Sequence, residues 1–468
     1  MTRELWQWSA MELAQAIRKK EVSSVEATLS CLDRMAAVNP SINAVVAQSD
    51  AAALQAAADA DQALAQGRDV GMLHGVPVTV KINTDQQGEA TTDGVTAYKD
   101  RIALQDSPAV SNWRKQGAIF IGRTNTPAFS WRWFTDNALH GRTLNPWNSA
   151  ITPGGSSGGA AAAVAAGIGP LAHGSDAGGS IRYPAYACGV VGLRPTSGRV
   201  PVFNGTASGE RPAMVQAMSV QGPIARTVGD VRLGLAAMSQ FDPRDPNWAP
   251  AALKPEAQKH PLRVALVMDN AELKPDPEVR NALKQAAGWL QDSGYIIEEV
   301  QPPHFSEAAG LWRTLLMNEA RSGMIPNIAQ FGDAAIQRTV ASMLAHTEPV
   351  NWEQFNAAMA RRTALIREWL IFLEQYPLIL MPVSWRRPFA IDADQSGDAA
   401  MGEMLQAQSP LLALAVLGLP GLSVPVSVSG GIPSGVQIIA GRYQEETCLQ
   451  AGEIIQQRAG VFTPIDPR

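Results

Sequence analysis

An α/β fold is predicted by three features of the chain. Apolar residues switch between helical spacing and strict alternation, strand-like and helix-like segments follow one another through most of the length, and helix start and stop signals punctuate them. The N-terminal region reads as helical. Ser9-Ala10-Met11-Glu12 and Ser23-Ser24-Val25-Glu26 each fit a capping box, in which side chains satisfy the free N–H groups at a helix start. The second box leads into Val25, Leu29, Leu32 and Met35, spaced for one apolar face. An Ala-rich helix follows from about Asp50 to Gln66 and stops at Gly67.

The period then changes. Val78, Val80 and Ile82 alternate with Thr79 and Lys81, which predicts a strand with Lys81 turned away from the valine face. Ser107-Pro108 opens a helix that ends at Gly117, and a strand over 118–121 follows. Residues 144–195 are rich in Gly, Ser and Ala, yet too apolar for a linker, and read as a packed site region. The stretch 242–261 holds five prolines and reads as a hinge or linker. Beyond it, 262–268 (strand), 278–291 (helix, ending at Gly294) and 295–300 (strand) form a βαβ pattern. Helices over roughly 306–322 and 352–375, strands at 378–382, 422–428 and 434–440, and a helix from about 443 to 459 complete the reading.

Composition narrows the function. A net charge of −5 with no run of like charges argues against a nucleic-acid or anionic-membrane partner. The apolar stretches 160–172 and 411–419 are shorter than the ~20 residues of a membrane-spanning helix, and Met1 to Trp8 lacks the apolar core of a signal peptide. Cys31, Cys188 and Cys448 are far apart, without a CxxC or a paired framework. The expectation is a cytoplasmic protein without disulfides.

Two glycine–serine clusters carry the chemical signal: Gly154-Gly155-Ser156-Ser157-Gly158-Gly159 and Asp176-Ala177-Gly178-Gly179-Ser180. Glycines beside a serine let a substrate approach closely and can aim several N–H groups at one point, as an oxyanion requires. Flexible loops, or a nest for phosphate, remain open on composition alone. No GxxxxGK[ST] occurs, so a Walker-type loop is excluded. Gly154 to Gly158 formally satisfies G-x-S-x-G, but that elbow needs a strand directly before it, and here Asn145-Pro146-Trp147-Asn148 and Thr152-Pro153 supply turn chemistry instead. A Ser–Asp–His hydrolase would draw its base from His260, His304 or His346, which sit beside proline or in loop-like sequence.

The clusters and their surroundings resemble the amidase signature family. The resemblance runs from Asn145 to Pro195, including Gly-Ser-Asp-Ala-Gly-Gly-Ser-Ile-Arg at 174–182, Tyr183-Pro184-Ala185 through Cys188-Gly189, and Gly192-Leu193-Arg194-Pro195-Thr196. Upstream, Gly75 to Lys81 is similar to the family's lysine strand, and Arg123-Thr124-Asn125-Thr126-Pro127 also fits. Gln221 to Arg226 and Gly418 to Pro425 fit more loosely. The resemblance implies a large twisted mixed β-sheet surrounded by α-helices. It also implies a single amidase domain over 1–468, with a helical segment at about 1–70, a signature core at about 71–230 and a remainder completing the sheet and pocket. The N-terminal helices would be available to pair subunits in a homodimer.

By the same resemblance Ser180 is the nucleophile, Ser156 the proton relay, joined to its neighbour by a cis bond, and Lys81 the base. The N–H groups of Ala177, Gly178, Gly179 and Ser180 form the oxyanion hole. One departure is Ile82-Asn83, where the family often has aspartate after the lysine. The chemistry is self-consistent. A serine needs a base, and a lysine is one only when burial depresses its pKa from ~10.4. An amide nitrogen leaves poorly unless a proton is returned to it. No cofactor is implied, and no residues have metal-ligand spacing. Asp176 and Arg182 are expected to hold the loop through a buried contact. Trp131, Trp133, Trp312 and Trp385 fall in segments the family uses around its site. With Tyr183, not a second arginine, after Arg182, they point to a small uncharged amide with an aromatic or bulky apolar group. The amidase component of a tRNA-dependent amidotransferase and a non-catalytic relative are the other readings.

Overall fold

The computed structural model describes residues 3–253, 261–269 and 273–468. Eleven strands form one mixed sheet. In chain order they are β1 Val45–Ala47, β2 Pro77–Lys81, β3 Ile119–Thr124, β4 Leu171–Asp176, β5 Val191–Arg194, β6 Val220–Ala225, β7 Arg263–Leu266, β8 Ile296–Glu299, β9 Leu378–Pro382, β10 Gly421–Ser429 and β11 Ile432–Ala440. Across the sheet the order is β1-β3-β2-β4-β6-β5-β10-β11-β9-β7-β8. The trio β3-β2-β4 is parallel, as is β9-β7-β8, and the ladders between them are antiparallel. Helices cover both faces, so the α/β expectation and the mixed sheet implied by the resemblance both describe the molecule.

Both capping boxes form, at Ser9/Glu12 and Ser23/Glu26. The second helix, Ser24–Ile42, turns differently from the reading of its large residues: Leu29 is exposed, and the buried row is Ala27, Thr28, Cys31, Leu32, Met35, Val38 and Ile42. This helix packs chiefly against the Asp50–Ala65 helix and, less extensively, against Gly158–Ala166, which is buried along its whole length. A Cβ at Gly159 would stand 2.4 Å from the Asn125 nitrogen and 2.6 Å from the Ala44 carbonyl oxygen, so the close approach requires glycine there.

Four strands escape a pattern reading: β1, β4, β5 and β6. The last three are central and mostly buried on both faces, so they do not alternate, and they carry glycines and Pro223 that normally weaken a strand. The segment read as one helix over 306–322 is Phe305–Trp312, a π turn over Arg313–Met317 and a final turn Asn318–Ala320. The described part of the proline-rich stretch is no free linker. Asp245 accepts from the Val202 N–H at 2.7 Å, and Arg199 donates to the Ala251 carbonyl. Its remainder, 254–260, lies outside the described residues. Among the described residues no helix is long and apolar enough to cross a membrane.

Candidate active site

Lys81 closes β2 and is fully buried. Its Nζ donates to Ser156 Oγ at 2.6 Å and to Ser175 Oγ at 3.0 Å. Burial is the dominant effect and drives the amine's pKa down from 10.5, against the opposing pull of Asp93 and Asp176. Ser156 follows a cis Gly155–Ser156 peptide bond. At Gly155 a Cβ would meet the Arg132 carbonyl oxygen at 2.3 Å, so only glycine lets this loop lie against its neighbour. The two clusters are stitched together: the Ser157 N–H donates to the Ser180 carbonyl at 3.1 Å. Ser180, Ser156 and Ser175 all line one cavity of about 540 Å³.

Asp176 organises the turn that carries Ser180. Its carboxylate accepts from the N–H groups of Gly179 (2.9 Å), Ile181 (3.2 Å) and Arg182 (3.4 Å). It is also held by the Arg182 side chain at 2.9 and 3.0 Å and by Arg194 at 3.3 Å. The expected Asp176–Arg182 contact is therefore present, with Arg194 as a second cation that pattern reading missed. Burial works to raise this carboxyl, but the two guanidinium groups and the Gly179 N–H overcome it and hold it well below the usual carboxylate range. Because the folded value is depressed, the associated stability is present above the unfolded pKa of about 3.9 and is lost as pH falls through the folded value. Asp176→Asn should leave two buried cations without their anion and lower the unfolding free energy by about 3–5 kcal/mol, read from urea unfolding. A change under about 1 kcal/mol would show the cluster to be structurally dispensable.

The turn revises the oxyanion-hole assignment. The Gly179 N–H is already spent on Asp176, and Gly179 takes φ 105°, which favours glycine. The carbonyls of Ala177 and Gly178 accept from the indole N–H groups of Trp312 (2.7 Å) and Trp133 (3.0 Å). The N–H groups of Ala177, Gly178 and Ser180 have no protein acceptor among the described residues. Of the four expected oxyanion donors, only the Gly179 N–H has a protein partner among the described residues.

Trp131, Trp133 and Trp312 line the cavity together with Phe129, Leu316 and Met343. Trp385 does not reach it. Its ring is fully buried in the apolar core, and its Nε1 donates to Ser409 Oγ at 3.0 Å. Its place in the sequence, just after β9, suggests a site residue, but that end of β9 faces helix packing. Pattern reading also misses Asp93 and Phe129 on the cavity wall, although Asp93-Gly94 carries a turn signal. Among the described residues no histidine lines the cavity. His304 lies 3.6 Å from both Glu307 and Glu368, and His346 Nε2 is 2.6 Å from the Asp398 carbonyl; His260 lies outside the described residues. Among the described residues no three His, Cys, Asp or Glu side chains gather as a metal site. A larger open depression of about 980 Å³, lined by Arg3, Met11 and Arg226, holds none of Lys81, Ser156, Ser175 and Ser180.

On the mixed α/β sheet, a buried lysine at the end of β2 donates to a serine of one of two glycine–serine loops that line a single cavity. The family model described as Amidase matches residues 26–449, and the chain belongs to that family: it is an amidase, hydrolysing amide bonds. Indoleacetamide hydrolase of Bradyrhizobium diazoefficiens is 46% identical over 463 residues, covering 98% of this chain and 88% of that protein. A glutamyl-tRNA(Gln) amidotransferase component of Moorella thermoacetica is more distant, at 32% identity over 97% of both chains. Among solved structures, 6-aminohexanoate cyclic dimer hydrolase superposes with a TM-score of 0.85 at 28% identity, covering 100% of this chain and 99% of that one.

Proposed function

We propose that the chain, acting as one catalytic unit over 1–468, hydrolyses small aryl-substituted acetamides of the indoleacetamide kind through an acyl-enzyme on Ser180. The observation that carries the mechanism is the 2.6 Å contact between a buried Lys81 amine and Ser156 Oγ, beside Ser180 in one cavity. Neutral Lys81 takes a proton from Ser156, which takes one from Ser180 as its Oγ bonds to the carbonyl carbon. The resulting oxyanion is met by the N–H groups of Ala177, Gly178 and Ser180. Lys81 then returns its proton through Ser156 to the amide nitrogen, the C–N bond breaks and ammonia leaves. Water attacks the ester by the reverse relay, releasing the carboxylate and Ser180.

The substrate class rests on the aromatic wall of Trp131, Trp312 and Phe129 and on the relative that is 46% identical. The purified chain should hydrolyse indoleacetamide with no partner protein, and with a kcat/KM at least about tenfold above acetamide. Trp131→Ala and Trp312→Ala should each shrink that ratio. Activity on glutamine alone, and only beside a second protein, would support the amidotransferase reading instead. The three cysteines are buried and unpaired, which supports a reducing, cytoplasmic setting.

A further inference from the structure

Asp93 stands on the cavity wall and takes no part in the relay from Ser180 to Lys81. Its N–H donates to the carbonyl of Ile82, one residue beyond Lys81, at 3.4 Å, and its own carbonyl accepts from the Phe129 N–H at 2.9 Å. Asp93, Phe129 and Ser130 take φ values of 47°, 58° and 54°, so three non-glycine residues of one wall sit in the left-handed region. Such conformations persist only where the surroundings over-determine them, and they gather at functional sites. Here they bring side chains into one continuous chain of hydrogen bonds. Ser130 Oγ donates to Asp93 Oδ1 at 2.5 Å, and Asn83 Nδ2 donates to Ser130 Oγ at 3.0 Å and to Ser175 Oγ at 3.2 Å. Ser175 Oγ in turn accepts from Lys81 Nζ at 3.0 Å.

Resting on the assignment of Lys81 as the base, we propose that Asp93 is a positioning residue for the amidase reaction. It anchors the Ser130–Asn83–Ser175 chain that holds Lys81 on Ser156, and its negative charge favours the protonated amine. The surrounding charges leave it that role. Asp176, the other carboxylate facing Lys81, is committed to Arg182 and Arg194. His173, on β4, is buried and neutral, its pKa pushed down to about 3 by burial. Arg123 bears on His173 from β3, and Arg101 faces Asp93 itself. His140 touches the neighbouring Thr92 at 3.1 Å, and burial lowers its pKa. Burial pushes Asp93 up and Lys81 down, so each one's charge depends on the other's.

The test is the rate at which a fluorophosphonate phosphonylates Ser180, with loss of fluoride, across pH, which needs no amide substrate. The wild-type rate should rise with pH as Lys81 loses its proton. Asp93→Asn removes the anion while keeping an acceptor for Ser130, so Lys81 should deprotonate earlier and the midpoint should fall by about one pH unit. Ser130→Ala, which removes the hydroxyl that stabilises the Asp93 anion, should move it the same way by less, and it serves if Asp93→Asn fails to fold. A midpoint unmoved in both variants, or raised, overturns the proposal. So does a rise in KM for the amide at an unmoved midpoint, which would make Asp93 a substrate contact. A wild-type rate that is flat with pH would instead overturn Lys81 as the base, and with it the reading on which this one stands.

Discussion

Ser180→Ala is expected to lower kcat by at least about 10⁴-fold while the protein stays folded. Removing the attacking oxygen leaves no route to an acyl-enzyme, yet the scaffold loses little. Ser180 gives its carbonyl, not its side chain, to the Ser157 N–H, and the Asp176 cluster binds only backbone groups of the turn and the side chains of Arg182 and Arg194. Thermal unfolding should therefore be close to wild type. A serine-directed fluorophosphonate should place its adduct on Ser180, read by peptide mass spectrometry. An adduct on Ser156 or Ser157 would reverse the roles of the two clusters.

The second large effect concerns Lys81. Lys81→Ala should lower kcat/KM by about 10³-fold, the middle of the range for loss of a general base. Lys81→Arg should not restore it, because a guanidinium stays protonated at any working pH. In the wild type, activity should rise with pH to a midpoint well below 10.5, because burial depresses the amine and only its neutral form accepts a proton. The sign matters: a base that must be deprotonated gives loss of rate on the acid side. Ser156→Ala should cost less than Ser180→Ala, since a water held by Lys81 can stand in for the relay. A chelator should leave the rate unchanged, because among the described residues no three ligating side chains gather. Loss of activity with EDTA, restored by a divalent metal, would require a different mechanism.

Legibility followed whether the signal was local. β2 alternates cleanly, and that alternation alone turns Lys81 away from the valine face. The capping boxes of the first two long helices are equally local, since each joins residues three apart. The central strands β4, β5 and β6 are not legible, because burial on both faces erases period-two patterning and their glycines read as turns. Trp385 shows the same limit for a site residue: its place after β9 is as read, but which way its ring points is set by packing against Ser409 and the helices there.

The sequence by itself determined the family, the glycine–serine clusters and the lysine strand. These are short motifs in which each residue type is demanded by chemistry or by backbone geometry close at hand. Only the tertiary structure shows that the Gly179 N–H is taken by Asp176, that Arg194 joins Arg182 on Asp176, and that Asp93 accepts from Ser130 at the far end of the hydrogen-bond chain from Lys81. The last two depend on contacts between segments well apart in the chain, and the first on how a short turn closes on Asp176. The physical reason is common to all three. A hydrogen bond or a buried charge takes its worth from what surrounds it, and that environment exists only once β2, β4 and the loop at Asp93 have been packed together.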